Sequence, residues 1–167
     1  ELGATVWLMT KPPLARLLAG APAVDRLLSE NTVLAPGQVD FWAFPLSLPY
    51  HLGTTLDSIP AAPAYLAADP EKAAFWRNWL DQATAPASRR VGLVWAGNPK
   101  HTNDKNRSID FAKLAPLFEV PGVSWVSLQL GERANDAAAL FASGKLLDPS
   151  ALIHDFSDSA ALLDQLD

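Results

Sequence analysis

Apolar positions in this chain fall into short runs broken by proline, glycine and polar stretches, and the runs alternate between strand-like and helix-like spacing. Ala4-Thr-Val-Trp-Leu-Met9 is a bounded apolar run with β-branching, which predicts a buried strand. Pro12-Pro13 then opens a short helix over Leu14–Leu18, closed by Gly20. Val24–Leu28 and Val39–Phe44 predict two further short strands. From Pro45 to Tyr65 the pattern breaks up around Pro45, Pro49, Gly53, Pro60 and Pro63. A helix resumes with Asp69 as N-cap, Pro70 in the first turn and Glu71 at the positive end of the dipole. Its apolar face is Ala73, Trp76, Trp79, Leu80 and Ala83. The small-residue stretch Thr84-Ala-Pro-Ala-Ser88 has linker character.

Beyond it the alternation is cleaner. Val91–Ala96, Val123–Leu128 and Leu152–Phe156 predict strands. Asp110–Phe118, Glu132–Ala142 (ended by Gly144) and Asp158–Leu166 (begun by Ser157 or Asp158) predict helices. Pro116 inside the first of these predicts a lost hydrogen bond or a kink. Strands alternating with helices point to an α/β fold with parallel sheets covered on both faces. Two Rossmann-like units are expected, residues 1–86 with the linker and residues 87–167. Each shows about three strands where a doubly wound sheet commonly has five or six, so both are expected to be incomplete. The chain therefore reads as an internal piece of a longer protein, of low stability by itself.

Composition narrows the class. A hydrophobic fraction of 49% with 19% charged residues is globular, not disordered. No apolar run approaches the roughly 20 residues of a membrane span, and no targeting peptide is visible. The lack of cysteine excludes disulfides and thiolate metal sites and fits a cytoplasmic location. Net charge is -5, yet between Arg89 and Lys113 six Lys/Arg face only Asp104 and Asp110. A single basic island in an acidic chain argues against general nucleic-acid binding and suggests one bound anion.

That island is the stretch Val91-Gly-Leu-Val-Trp-Ala-Gly-Asn-Pro-Lys100-His-Thr-Asn-Asp-Lys105-Asn-Arg-Ser108. A strand, a glycine turn and a helix start make a phosphate-holding element, because backbone N–H groups converge there. Gly97 would let the backbone approach a diphosphate, and Asn98 would bond a phosphate or ribose oxygen; the plain alternative is an ordinary turn. Lys105 and Arg107 are the cations placed to neutralise the anion, while Lys100 fits a solvated loop lysine. Ser108 serves as an N-cap in either case, with its hydroxyl toward the same place. Gln129 ends the predicted 123–128 strand, at the rim where ligands bind in parallel sheets; as a plain strand-end polar residue it needs no ligand.

Elsewhere the chemistry is sparse. His51, His101 and His154 lack metal-ligand spacing, no carboxylate pair has it, and no serine has a nucleophile-elbow context, so no metal site is expected. Trp7, Trp76, Trp79, Trp95 and Trp125 fit core positions, whereas Trp42, before the irregular segment, could line a cleft.

An ordered series of segments carries a resemblance over nearly the whole chain. It includes Lys11-Pro-Pro-Leu-Ala-Arg-Leu-Leu, Leu46-Ser-Leu-Pro49, Leu52-Gly-Thr-Thr-Leu56, Tyr65-Leu-Ala-Ala-Asp-Pro70, Val91 to Lys100, Asn106-Arg-Ser-Ile109, Val126-Ser-Leu-Gln129 and His154-Asp-Phe-Ser-Asp158. Together they resemble bacterial tetratricopeptide-repeat proteins with a glycosyltransferase-like region, related to the heptosyltransferase family (glycosyltransferase family 9) and distantly to O-GlcNAc transferase. The resemblance implies a GT-B fold, with acceptor held by the first domain and nucleotide-diphosphate sugar by the second, and no cofactor or essential metal. It places Gly97, Asn98, Lys105, Arg107, Ser108 and Gln129 at the donor diphosphate, and Trp42, Ser47 and His51 on the side of a protein or saccharide acceptor. The family's Gly-Asp loop and its Asp-Ser/Thr-x-x-x-His motif are not in this sequence, so the chain by itself is expected to be inactive. The rival expectation is a non-catalytic interaction module attached to tetratricopeptide repeats.

Overall fold

Two residues after the first strand ends, the chain has already turned into a helix that returns it for a parallel neighbour. This βαβ element is the centre of the first of two compact units, which divide at Ala67/Ala68. The computed structural model describes residues 3–61 and 64–167. Strand β1 (Trp7–Thr10), helix α1 (Pro12–Leu18) and strand β2 (Arg26–Ser29) match the expected segments. The strands pair in parallel with Trp7 opposite Arg26 and Thr10 opposite Ser29. The Arg26 guanidinium lies over the Trp7 ring at 4.6 Å, and Asp25 Oδ2 accepts the Val6 N–H at 2.7 Å.

The expected strand at Val39–Phe44 does not form. Phe41 and Trp42 are 94% and 77% exposed, so this apolar run has no buried face. Strand preference is realised only against a neighbouring strand and a packed face, and the run finds neither. A 3-10 turn at Pro45–Ser47 leads instead into the single-turn helix α2 (Leu48–His51), followed by another 3-10 turn at Leu56–Ser58. Pro63, one of the expected breakpoints, lies outside the described residues.

The second unit opens with helix α3 (Pro70–Ala83), and Asp69 caps it by accepting from Glu71 N and Lys72 N at 2.9 and 3.1 Å. Strands β3 (Arg89–Leu93), β4 (Val123–Ser127) and β5 (Leu146–Leu147) form a parallel sheet in the order β3-β4-β5. Arg89 pairs with Val123 and Trp125 with Leu146. Side chains alternate across a strand, so Trp125 and Val126 enter different cores. Val126 packs with Trp76 and Leu80 of α3 and with Ala161 and Leu162 of helix α5 (Phe156–Leu163). Trp125 packs with Trp95, Ala137 and Leu146, covered by Phe111, Leu117 and Phe118 of a 3-10 helix (Phe111–Glu119) and by Leu140 and Phe141 of helix α4 (Ala138–Ala142). Helical layers thus cover both faces of a parallel sheet, and the fold is mixed α/β.

Three expectations change here. Because α3 packs on α5, the second compact unit begins upstream of the linker, where the sequence placed a boundary at 86/87. The third strand is β5, not Leu152–Phe156; the latter region starts as a 3-10 turn at Ser150–Leu152. Asp155, rather than Ser157 or Asp158, caps α5, in a box where Asp155 and Asp158 each accept the other's backbone N–H. Pro116 has the predicted effect in a stronger form, since all of Phe111–Glu119 is 3-10 rather than α-helical. Among the described residues, no helix is long and apolar enough to cross a membrane.

Candidate functional site

The carboxyl rim of β3 is where the predicted residues meet. Past Leu93 the strand loses its ladder, and Gln129, 5% exposed, takes over the pairing from beyond β4. Its Oε1 accepts from Trp95 N at 3.2 Å and from Ala96 N at 2.9 Å, while its Nε2 donates to the Leu130 carbonyl. This buried amide is therefore spent on backbone, and it positions the rim rather than presenting a donor there.

Gly97 follows Ala96 directly, and its N–H donates to Ser108 Oγ at 3.0 Å. Ser108 Oγ in turn donates to Asp104 Oδ1 at 2.9 Å, and Ile109 N donates to the Trp95 carbonyl at 2.8 Å. These bonds fold the loop back onto the strand end. Arg107 comes with it: a β-carbon on Gly97 would lie 2.7 Å from Arg107 Nε and 2.8 Å from Asp104 Oδ1. Only a residue without a side chain leaves room for the guanidinium there. Arg107 Nε stands 3.8 Å from Asp104 Oδ1, with the arginine side chain about half exposed and the aspartate nearly buried. Ser108 is thus a loop brace; the residue that caps the following 3-10 helix is Asp110, which accepts from Ala112 N at 3.1 Å.

Asn98 forms a local turn instead of a reaching contact, its Oδ1 accepting from Lys100 N at 3.0 Å. His101 Nδ1 accepts from Asn103 N at 3.1 Å, which leaves its Nε2 as the donor side of the ring. Lys105 lines an open depression of about 1020 Å³ together with His101, Ser108, Phe111 and Arg133. Arg133 was not among the sequence candidates. It enters from the 3-10 helix Glu132–Ala137 after β4 and pairs with Asp136 at 3.2 Å. The signal was available, because Arg133 follows the end of the predicted 123–128 strand by the same rim logic that selected Gln129.

The basic island itself is not one patch. Arg89 and Arg90 stand at the opening of β3, the far end from Gly97, and Arg90 pairs with Asp81 of α3. Contiguity in sequence placed six cations together; a strand of five residues separates the first two from the rest. Past the strand the island keeps Lys100, Lys105, Arg107 and Lys113; Lys105 and Arg133 share the depression with Asp104, Asp110 and Asp136. Lysine and guanidinium donors thus stand among carboxylates, without a large positive field.

Trp42, Ser47 and His51 belong to the first unit. Trp42 packs edge-to-face on Phe44, with ring centroids 5.2 Å apart, and His51 packs on Tyr50 at 5.6 Å. Ser47 ends the 3-10 turn before α2, its N–H donating to the Phe44 carbonyl. Among the described residues, these contacts of Trp42, Ser47 and His51 are all local. His154 lies beside Asp158, Nδ1 to Oδ2 at 3.5 Å, in the contact between α3 and α5 and not at the rim. There Lys72 Nζ pairs with Asp158 at 2.5 Å and Asp155 at 3.5 Å. Burial by itself would raise the Asp158 pKa, but the Lys72 ammonium and the His154 and Asp155 backbone N–H groups outweigh it and hold the carboxyl below its ordinary value. Among the described residues, no group of three or more His, Cys, Asp or Glu is placed to hold a metal ion.

No family model matches the chain, and no solved structure matches it. A stretch of 99 residues is 29% identical to Protein FlbA of Caulobacter vibrioides (strain ATCC 19089 / CIP 103742 / CB 15). The alignment takes in 59% of this chain and 16% of that protein, so the chain spans only a small part of the relative it resembles.

Proposed function

We propose that the chain is the nucleotide-sugar-handling region of a glycosyltransferase-like protein of GT-B type, in which the loop after β3 holds the donor diphosphate. The observation that carries this reading is the seat of Arg107 over Gly97 at the carboxyl rim of a parallel strand, the place where ligands bind in such sheets. In sugar transfer the bond between the anomeric carbon and the diphosphate oxygen breaks, and negative charge grows on the leaving phosphate. A guanidinium at the strand end and a lysine of the same loop stabilise that charge without a metal. Arg107 and Lys105 have these roles, Gly97 makes the close approach possible, and Ser108, Asn98 and Gln129 shape the loop. The acceptor, a protein or saccharide, would be met by the first unit through Trp42, Ser47 and His51. The absence of cysteine accords with a cytoplasmic location for such chemistry.

Calorimetric titration with nucleoside diphosphates tests the reading. The expected result is binding that weakens by about 10-fold or more in an Arg107→Ala/Lys105→Ala double variant. Unchanged affinity would remove the diphosphate assignment.

A second reading, a binding module without turnover, is favoured by one observation. The three carboxylates on the rim are all engaged: Asp104 by Ser108 and Arg107, Asp110 as a cap, Asp136 by Trp95 and Arg133. Each braces the loop or a neighbouring element through one oxygen, which favours a structural role over a catalytic one. Donor binding without sugar release, measured with a labelled nucleotide sugar, would select this second reading.

A further inference from the structure

We infer that residues 41–52 of the first unit are a docking surface for a polypeptide partner, apolar at its centre and flanked by Lys and Arg. The inference stands apart from the diphosphate reading, which concerns the second unit.

These twelve residues hold seven large apolar side chains and no Lys, Arg, Asp or Glu. All seven are exposed, Leu46 at 96% and Tyr50 at 86%. The first unit gives them little to pack into: among the described residues, Leu28 is its one buried hydrophobic side chain. Single exposed leucines are ordinary, whereas a dense exposed apolar run marks a surface that another molecule covers.

The run is nevertheless ordered by its own backbone. Ser47 N donates to the Phe44 carbonyl at 2.9 Å, Leu52 N to the Leu48 carbonyl at 2.9 Å, and Thr54 N to the Pro49 carbonyl at 2.8 Å. Pro45 and Pro49 stand in the first turns of the 3-10 turn and of α2, where their fixed φ suits the helical path. With these N–H groups taken, recognition falls to the side chains and not to strand addition. A surface ordered in advance also loses less conformational freedom on docking.

Charge identifies the occupant. From Leu27 to Glu71 the chain has five acids, Glu30, Asp40, Asp57, Asp69 and Glu71, and no Lys or Arg. That stretch accounts for the whole net charge of -5, and Asp40 and Asp57 stand on either side of the apolar run. An interface with an apolar centre and a charged rim selects a partner with the same centre and the opposite rim. A second copy docking by the same face would set acid against acid. Anionic lipid headgroups would be repelled for the same reason, and Leu46, Leu48 and Leu52 offer a saccharide no hydrogen bond.

Fluorescence anisotropy on the full chain tests this, with labelled amphipathic peptides built from leucine and lysine or from leucine and glutamate. The leucine–lysine peptide is expected to bind at least about 10-fold more tightly, with the difference shrinking as salt is added. Trp42→Ser/Leu46→Ser should weaken its binding about 10-fold or more. Asp40→Lys/Asp57→Lys should reverse the order of the two peptides, a result that local misfolding would not produce. Equal binding of both peptides, binding of neither, or a leucine–lysine affinity unmoved by Trp42→Ser/Leu46→Ser overturns the inference. So does self-association in sedimentation, or binding to phosphatidylcholine vesicles, that the same double variant abolishes.

Discussion

The Arg107 guanidinium occupies the space that a side chain at Gly97 would fill, with Nε only 2.7 Å from the position of that β-carbon. Two residues ten apart in sequence are therefore coupled by exclusion. Gly97→Ala should move Arg107 off the rim while leaving the core untouched, since the atoms displaced are the end of a flexible side chain. The expected outcome is a loss of nucleoside-diphosphate affinity of about 10-fold, with a stability change below about 1 kcal/mol. Calorimetry paired with thermal melts checks both halves; a lowered melting temperature with intact affinity would contradict the assignment.

Asp104 sits between the groups that would meet an anion, accepting from Ser108 and facing Arg107. It is an internal competitor for the same donors. Asp104→Asn keeps an oxygen for the Ser108 hydroxyl and removes the charge. Anion affinity should rise severalfold, and its dependence on salt should steepen as Arg107 loses its counter-ion. A fall in affinity would mean that the carboxylate braces the loop more than it competes.

Acid should loosen the packing of α3 on α5. Asp158 has a folded pKa below its unfolded value of about 3.9, so it contributes stability above that pH and loses the contribution as pH falls through the depressed value. Urea unfolding at neutral pH and near pH 3 should show a smaller stability difference for Asp158→Asn than for the wild type. Equal differences would show that the Lys72 contact contributes nothing to the acid response.

Gly92, in the middle of β3, faces Leu128 and Leu166, and an added β-carbon would come within 2.6 and 2.7 Å of their methyl groups. Gly92→Ala should cost about 1–3 kcal/mol through overpacking. The same substitution at Gly144, at φ +71° with nothing near the added carbon, should be destabilising through backbone strain alone, by about 1–2 kcal/mol. Double variants with Leu128→Ala separate the two causes: the steric penalty of Gly92→Ala is relieved in part, Leu166 still crowding the added carbon, and the strain at Gly144 is not relieved at all.

Ala87 is the one described non-glycine residue at positive φ, +60°. Ala87→Gly should therefore stabilise the second unit by roughly 1 kcal/mol. A melt unchanged or lowered would place the strain elsewhere in the turn before β3.

How legible all this was in the sequence depended on whether the signal was local. The cap at Asp69, the α3 face of Trp76 and Leu80, the stop at Gly144 and the disruption at Pro116 are set by a few neighbouring residues, and they were readable. Val39–Phe44 failed because its pattern implies burial without naming what would cover it. Leu152–Phe156 failed because two residues, Leu146 and Leu147, are enough to complete a parallel edge and are too short to give a period. At the rim, Gly97 and Arg107 were selected for phosphate geometry, and they prove to be neighbours in space. Gln129 was selected as a ligand contact, but a buried amide facing two unpaired backbone N–H groups must satisfy them first. Arg133 was within reach of the rim logic that picks out Gln129, whereas the Asp136–Trp95 contact joins residues 41 apart and depends on the sheet order, which no single segment encodes.

The side-chain oxygen of Gln129 has a kinetic consequence for the backbone it meets. Trp95 and Ala96 lie beyond the last rung of β3, yet their amide protons are held by a buried acceptor. In deuterium exchange these two amides should remain slow, prolonging the protected stretch past the ladder. Gln129→Leu should release them to exchange at the rate of the open loop.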